Sequence, residues 1–129
     1  MLNLLRIHHV AIIVSDYPRS KHFYTEILGL ETILETYRGE RDSYKLDLRV
    51  PGGGQIEVFS FPKPPPRPSY PEATGLRHLA FEVDDVAEAK SLLEKEQVAV
   101  EKIRADAITG KRFTFLADPD GLPIELYER

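Results

Sequence analysis

The chain has 129 residues, a length for one domain, and its 42% hydrophobic and 29% charged content excludes disordered and collagen-like classes. It holds no cysteine, which excludes a disulfide framework, thiolate metal sites and a cysteine nucleophile. A net charge of -4 argues against nucleic acid as a partner, and no run approaches the roughly 18 apolar residues of a membrane span, so the expectation is a cytoplasmic protein that binds a small molecule.

Residues of about 6–14 alternate and are rich in Ile and Val, a strand pattern. Asp16 then stands before Pro18 and an apolar-periodic run with Phe23, Ile27 and Leu28, closed by Gly29. An Asp cap, a first-turn Pro and a terminal Gly predict a helix over about 18–28. Strands follow at about 31–37, 43–50 and 54–61, with Pro51 to Gly54 as a turn. The stretch of about 62–71 contains six of the ten prolines and reads as a stiff, extended connector; the other reading is a docking motif for a proline-binding partner. Beyond it a strand is predicted at about 75–83 and a helix at about 86–96, capped by Asp85. Three more strands fall near 98–104, 111–117 and 122–128, the last two joined by Asp118-Pro119-Asp120-Gly121.

The chain is written twice. His9-Val10-Ala11-Ile12-Ile13-Val14-Ser15-Asp16 matches His78-Leu79-Ala80-Phe81-Glu82-Val83-Asp84-Asp85, and Pro51-Gly52-Gly53-Gly54-Gln55-Ile56-Glu57 echoes Pro119-Asp120-Gly121-Leu122-Pro123-Ile124-Glu125, in the same order and at almost the same offset. The expected fold is α+β, with two tandem βαβββ modules forming an open, mostly antiparallel, barrel-like sheet and the helices on its outer face. Residues 1–129 then form one domain, with module one at about 5–61 and module two at about 75–128.

Side chains alternate between the faces of a strand. Val10, Ile12 and Val14 share one face, and Leu79, Phe81 and Val83 share its counterpart; both are apolar, as a face under a helix should be. His9 and His78 lie on the opposite faces, each followed two positions on by alanine. Glu57 and Glu125 likewise oppose the apolar pairs Ile56/Val58 and Ile124/Leu126. A lone histidine or glutamate in such a place is ordinarily a core or surface residue. Four of them, at matching positions of a duplicated unit, point to metal ligation. Two carboxylates in one cleft repel and are costly to desolvate, and a divalent cation removes that cost. If the modules curve toward each other, His9, Glu57, His78 and Glu125 are the ligands of one Ni, Zn, Co, Mn or Fe ion. His8 and His22 read as non-ligands. Arg41, Lys45, Arg77, Lys111 and Arg112 are the cations available to an anionic substrate, and Phe59, Phe61 and Tyr127 are pocket-wall or barrel-filling residues by parity.

These motifs, spanning about 5–128, resemble the vicinal oxygen chelate, or glyoxalase-like, superfamily; the marks are His9 to Val14 with Asp16, Ser20 to Leu30, Ile56-Glu57, His78-Leu-Ala-Phe with Asp85, and Asp118 to Glu125. The resemblance implies two βαβββ modules around a metal held by His9, Glu57, His78 and Glu125, the ligand set of glyoxalase I. It implies proton transfer beside a carbonyl through an enediolate, with Glu125 as the better candidate general base and Glu57 as the other. It also implies a homodimer, with the site built either within one chain or across two. Where short glyoxalase I enzymes carry an Arg and an Asn toward glutathione, this chain has Ile13 and Phe61, which argues against glutathione conjugates. An epimerase or a dioxygenase on the same scaffold, and a binding module without turnover, remain the alternatives.

Overall fold

In the computed structural model, which describes residues 1–129, each half of the chain builds its own four-stranded sheet with helix on one face. The halves are two compact units, Met1–Pro66 and Arg67–Arg129. The first contains β1 (His9–Val14), α1 (Tyr17–His22), β2 (Glu31–Arg38), β3 (Ser43–Arg49) and β4 (Gln55–Ser60). The second contains β5 (Leu79–Val83), α2 (Val86–Lys95), β6 (Arg104–Ala105), β7 (Arg112–Ala117) and β8 (Pro123–Glu128). Strand order is β1-β4-β3-β2 in one sheet and β5-β8-β7-β6 in the other. Each has a single parallel pair, β1 with β4 and β5 with β8, the remaining pairs being antiparallel. The α+β class and the two βαβββ modules are as expected. Each module contributes one open, mostly antiparallel four-stranded sheet.

Four elements depart from the expected ones. The first strand begins at His9, not at residue 6, and the fifth at Leu79, not at residue 75. The first helix is α-helical only to His22 and continues as a π-turn over Phe23–Ile27. The Thr25 hydroxyl donates to the Lys21 carbonyl at 2.7 Å, taking the acceptor that the Thr25 amide would use in an α-helix, and Leu28 N–H reaches back five residues to Phe23. The helix still stops where predicted, because Gly29 adopts φ +76°, a left-handed conformation that glycine enters freely. The strand expected at 98–104 is reduced to Arg104–Ala105. There Glu101 N–H still donates to the Phe115 carbonyl at 2.9 Å, but its own carbonyl accepts from Thr114 Oγ1 at 2.7 Å and Lys90 Nζ at 3.1 Å, so side chains occupy the next ladder position.

The alternation read from the sequence sorts the sheets correctly. Val14, Leu46, Leu48, Ile56 and Val58 bury one face of the first, with Phe23 and Tyr24 from the helical segment. Leu116, Ile124 and Leu126 do the same in the second, with Val86 and Leu93 of α2. Full burial of each such aliphatic side chain stabilises by about 1.5–3 kcal/mol.

Both predicted caps form. Asp16 Oδ1 accepts from Arg19 N–H, and Asp85 Oδ1 from Ala87 and Glu88 N–H. Glu128 supports the second cap, accepting from Val86 N–H at 2.9 Å and, in a two-pronged bond, from Arg112. These bonds, Arg112 first, hold the Glu128 carboxyl below its usual range. Asp106 is held low by the amides of Ile108 and Thr109 and by the Tyr127 hydroxyl, and Glu35 by Lys21 and Tyr17. A carboxylate with a lowered folded pKa gives stability that is complete above its unfolded value, ~4 for Asp and Glu, and that is lost as pH falls through the folded value. The thermal midpoint is therefore expected to drop on acidification below about pH 5. Glu128→Gln is expected to flatten that drop; a variant curve parallel to wild type would remove Glu128 from the explanation.

Candidate functional site

Each module brings one predicted histidine to one predicted glutamate on the sheet face away from its helix. In the first, Glu57 of β4 lies opposite Ala11 of β1 and Asp47 of β3. The small Ala11 side chain leaves room on that face, and His9 Nδ1 stands 3.6 Å from Glu57 Oε2. The approach to His9 is pinned from below: Gln55 N–H donates to the His8 carbonyl. Gly54 lies beside the Ile7 and His8 carbonyl oxygens, which an added Cβ would meet at ordinary contact distances of 3.4 and 3.6 Å, and it is its φ of +86° that disfavours a side chain.

In the second module Glu125 lies opposite Ala80 and Phe115, and His78 Nε2 is 3.1 Å from Glu125 Oε2. The His78 ring stands edge-on to Phe115, centroids 5.2 Å apart at 88°. The backbone before His78 is clamped by Arg67, which donates to the Leu76 and Arg77 carbonyls at 2.9 and 3.0 Å and to Ser69 Oγ at 3.1 Å. The proline-rich stretch is thus divided: residues 62–66 go with the first unit, while Arg67 onward belongs to the second and fixes the entrance to β5.

Two donors at about 2.0–2.2 Å from one ion and roughly at right angles lie about 3 Å apart. The His78–Glu125 separation fits that spacing, and the His9–Glu57 separation needs only a small adjustment. The residues therefore fit a divalent metal by donor type and by pair spacing. No cluster of three or more potential ligands forms, and each unit supplies one pair. His8, read as a non-ligand, lies with its Nδ1 3.0 Å from the same Nδ1 of His9 that faces Glu57.

Beside this pattern the sequence reading missed Asp47. It is 7% exposed, cross-strand from Glu57, and Lys45 Nζ lies 3.4 Å from its Oδ1 and 3.9 Å from Glu57 Oε1. The signal was present: Lys45, Asp47 and Arg49 alternate on the ligand face, a pattern that resembles a solvated edge. Strand register gives the two modules different surroundings at this level. Lys45 and Asp47 lie opposite Phe59 and Glu57, whereas Phe113 and Phe115 lie opposite Tyr127 and Glu125. The first site is ionic, the second aromatic.

The cations singled out from sequence are mostly occupied. Lys45 serves Asp47 and Glu57, Arg77 pairs with Glu72 at 3.1 Å, and Arg112 braces Glu128 at the start of α2. Arg38 and Arg104, not singled out, lie on the ligand faces over phenylalanine rings. Phe59 and Phe61 stack 6.2 Å apart at 10°, and Tyr127 stacks on Phe113 while its hydroxyl bonds Asp106 and Thr109.

The sequence model of the Glyoxalase/Bleomycin resistance protein/Dioxygenase superfamily matches residues 6–126. The chain is 58% identical to the uncharacterised protein YaeR of Escherichia coli (strain K12), over 100% of both. It is 32% identical to a 2-epi-5-epi-valiolone epimerase of Actinomyces sp., over 93% of this chain and 77% of that one. It is 31% identical to a lactoylglutathione lyase of Escherichia coli O157:H7, over 96% and 93%. The crystal structure of a glyoxalase family protein from Enterococcus faecalis, 49% identical, superimposes with a TM-score of 0.88 over 95% of this chain and 97% of that one.

Proposed function

The chain belongs to the Glyoxalase/Bleomycin resistance protein/Dioxygenase superfamily, and from that premise we propose that it is a metal-dependent lyase or isomerase of the glyoxalase type, moving a proton beside the carbonyl of a small 2-oxo or 2-hydroxy compound. The observation that carries this reading is the repeated pair, His9 with Glu57 and His78 with Glu125, at matching register on matching faces. These four residues are the proposed ligand set of a divalent ion, one of Ni, Zn, Co, Mn or Fe. The ion supplies Lewis acidity that polarises the substrate's carbonyl and lowers the cost of removing the neighbouring proton.

The chain's own residues divide the remaining work. Glu57 has Lys45 Nζ 3.9 Å away and buried Asp47 cross-strand from it, an ionic setting in which its proposed part is ligation. Glu125 pairs only with His78 and faces Ala80 and Phe115. That setting supports Glu125 as the carboxylate that accepts and returns a proton, Glu57 being the second candidate. Phe115 and the edge-on His78 ring shield that carboxylate from water and strengthen its interactions. The proposed assembly is a homodimer. The 32% identical epimerase supports epimerisation as a second reading, which begins with the same proton removal.

The test combines elemental analysis with exchange of the substrate's α-proton for solvent deuterium, followed by NMR on a panel of small 2-oxo and 2-hydroxy compounds. About one divalent ion per site together with exchange is the expected result. A reconstituted protein that binds these compounds without exchange would leave a binding module. Iron with consumption of oxygen would move the assignment to a dioxygenase.

A further inference from the structure

The pocket that contains His78 in the second unit, about 200 Å³ in volume, is also lined by three guanidinium groups, Arg67, Arg77 and Arg104, against the carboxylates of Glu72 and Glu101. Arg67 is committed to backbone carbonyls and Arg77 to Glu72. Arg104 is held differently. Its guanidinium carbon lies 5.0 Å from the Phe113 centroid and 5.9 Å from that of Phe115. The two rings, edge-to-face with each other at 90°, hold the guanidinium within cation–π reach, and its N–H donors match a planar or tetrahedral oxyanion. Its one carboxylate partner, Glu101, stands 3.5 Å away with both side chains more than half exposed. A contact of that kind contributes little and yields to a better ligand.

A related arrangement, with the two rings stacked at 10° rather than edge-to-face at 90°, occurs in the first unit. Arg38 lies 5.0 and 5.9 Å from the Phe59 and Phe61 centroids. Its Nη2 donates to Ser43 Oγ, while its Nε is buried without a hydrogen-bond partner, which a native interior rarely leaves so. In both units the support is a Phe-X-Phe step, Phe59 and Phe61 or Phe113 and Phe115, whose period of two puts both rings on the ligand face.

We propose that Arg104 receives an oxyanion, a carboxylate or a phosphate, carried by the substrate at the end remote from its reacting carbonyl; this rests on the reading of His78 as a site ligand. Phe115 sets the span. Its centroid is 5.9 Å from the Arg104 guanidinium carbon and 5.2 Å from the His78 ring, so cation and imidazole are at most about 11 Å apart. That distance selects a compact acid with a few carbons between carbonyl and anion, in line with Ile13 and Phe61 standing where glutathione contacts were expected.

The experiment titrates the full-length protein with inorganic phosphate and, separately, with malonate by calorimetry, with metal content and thermal midpoint measured on each variant. Wild type is expected to bind one of the two anions, and Arg104→Gln to bind it at least about tenfold more weakly at unchanged metal content. Glu101→Gln, which removes the competing carboxylate, is expected to bind it more tightly. Preference for phosphate identifies a phosphorylated substrate, and preference for malonate a dicarboxylic one. Wild-type affinity in Arg104→Gln, or no binding of either anion by wild type, overturns the proposal. Metal ligation fails or stands separately, because Glu125→Gln is read by metal content alone.

Discussion

Glu125→Gln is expected to purify with little or no divalent metal and, reloaded with excess ion, to turn substrate over about a thousandfold more slowly, within the 10²–10⁴ that a positioned acid–base group supplies. The amide keeps the size of the carboxylate, so the fold should not change. It offers a weaker donor to a divalent cation and no site for the transferred proton. Glu57→Gln should lose metal in the same way. It should lose less turnover once reloaded, because its proposed part is ligation and Glu125 is the proposed proton carrier. Elemental analysis and single-turnover rates on both variants separate ligation from proton transfer. Equal metal content in wild type and both variants would end the four-ligand reading.

Ile124→Ala, one residue away, should do the opposite. Ile124 is fully buried between the sheet and α2, and removing its branch leaves a cavity that costs about 2–5 kcal/mol. For a chain of this length that lowers the thermal midpoint by roughly 10 °C or more. Metal content per folded chain should stay at the wild-type value. Neighbouring residues that affect stability and ligation separately would show that the strand's two faces do separate jobs. A metal-free but stable Ile124→Ala would show that they are coupled.

That division is legible in the sequence alone. Strand alternation is a fixed property of the backbone, so Val10 against His9 and Ile124 against Glu125 could be sorted by parity alone, and the caps at Asp16 and Asp85 by residue type. What escaped was decided by side chains competing for backbone groups. Thr25 takes the Lys21 carbonyl and turns the end of a helix into a π-turn; Thr114 and Lys90 take the Glu101 carbonyl and reduce a strand to two residues. The sites show the same split. His9, Glu57, His78 and Glu125 were found because duplication repeats them. Asp47 was missed because it occurs in one module only, the second having Phe115 at that level; Arg38 and Arg104 were missed because their ring neighbours are set by cross-strand register, which a single sequence does not display.

Arg67 gives the proline-rich stretch two unequal halves. Residues 62–66 make no comparable bond to the backbone before His78, whereas from Arg67 to Arg77 the chain is a loop closed by hydrogen bonds at both ends. A residue inserted in the first half leaves these bonds untouched; one inserted in the second must be absorbed inside the closed loop or break the Arg67 bonds that hold the backbone before His78. In the descent of such chains, length should drift before the arginine and be counted residue by residue after it.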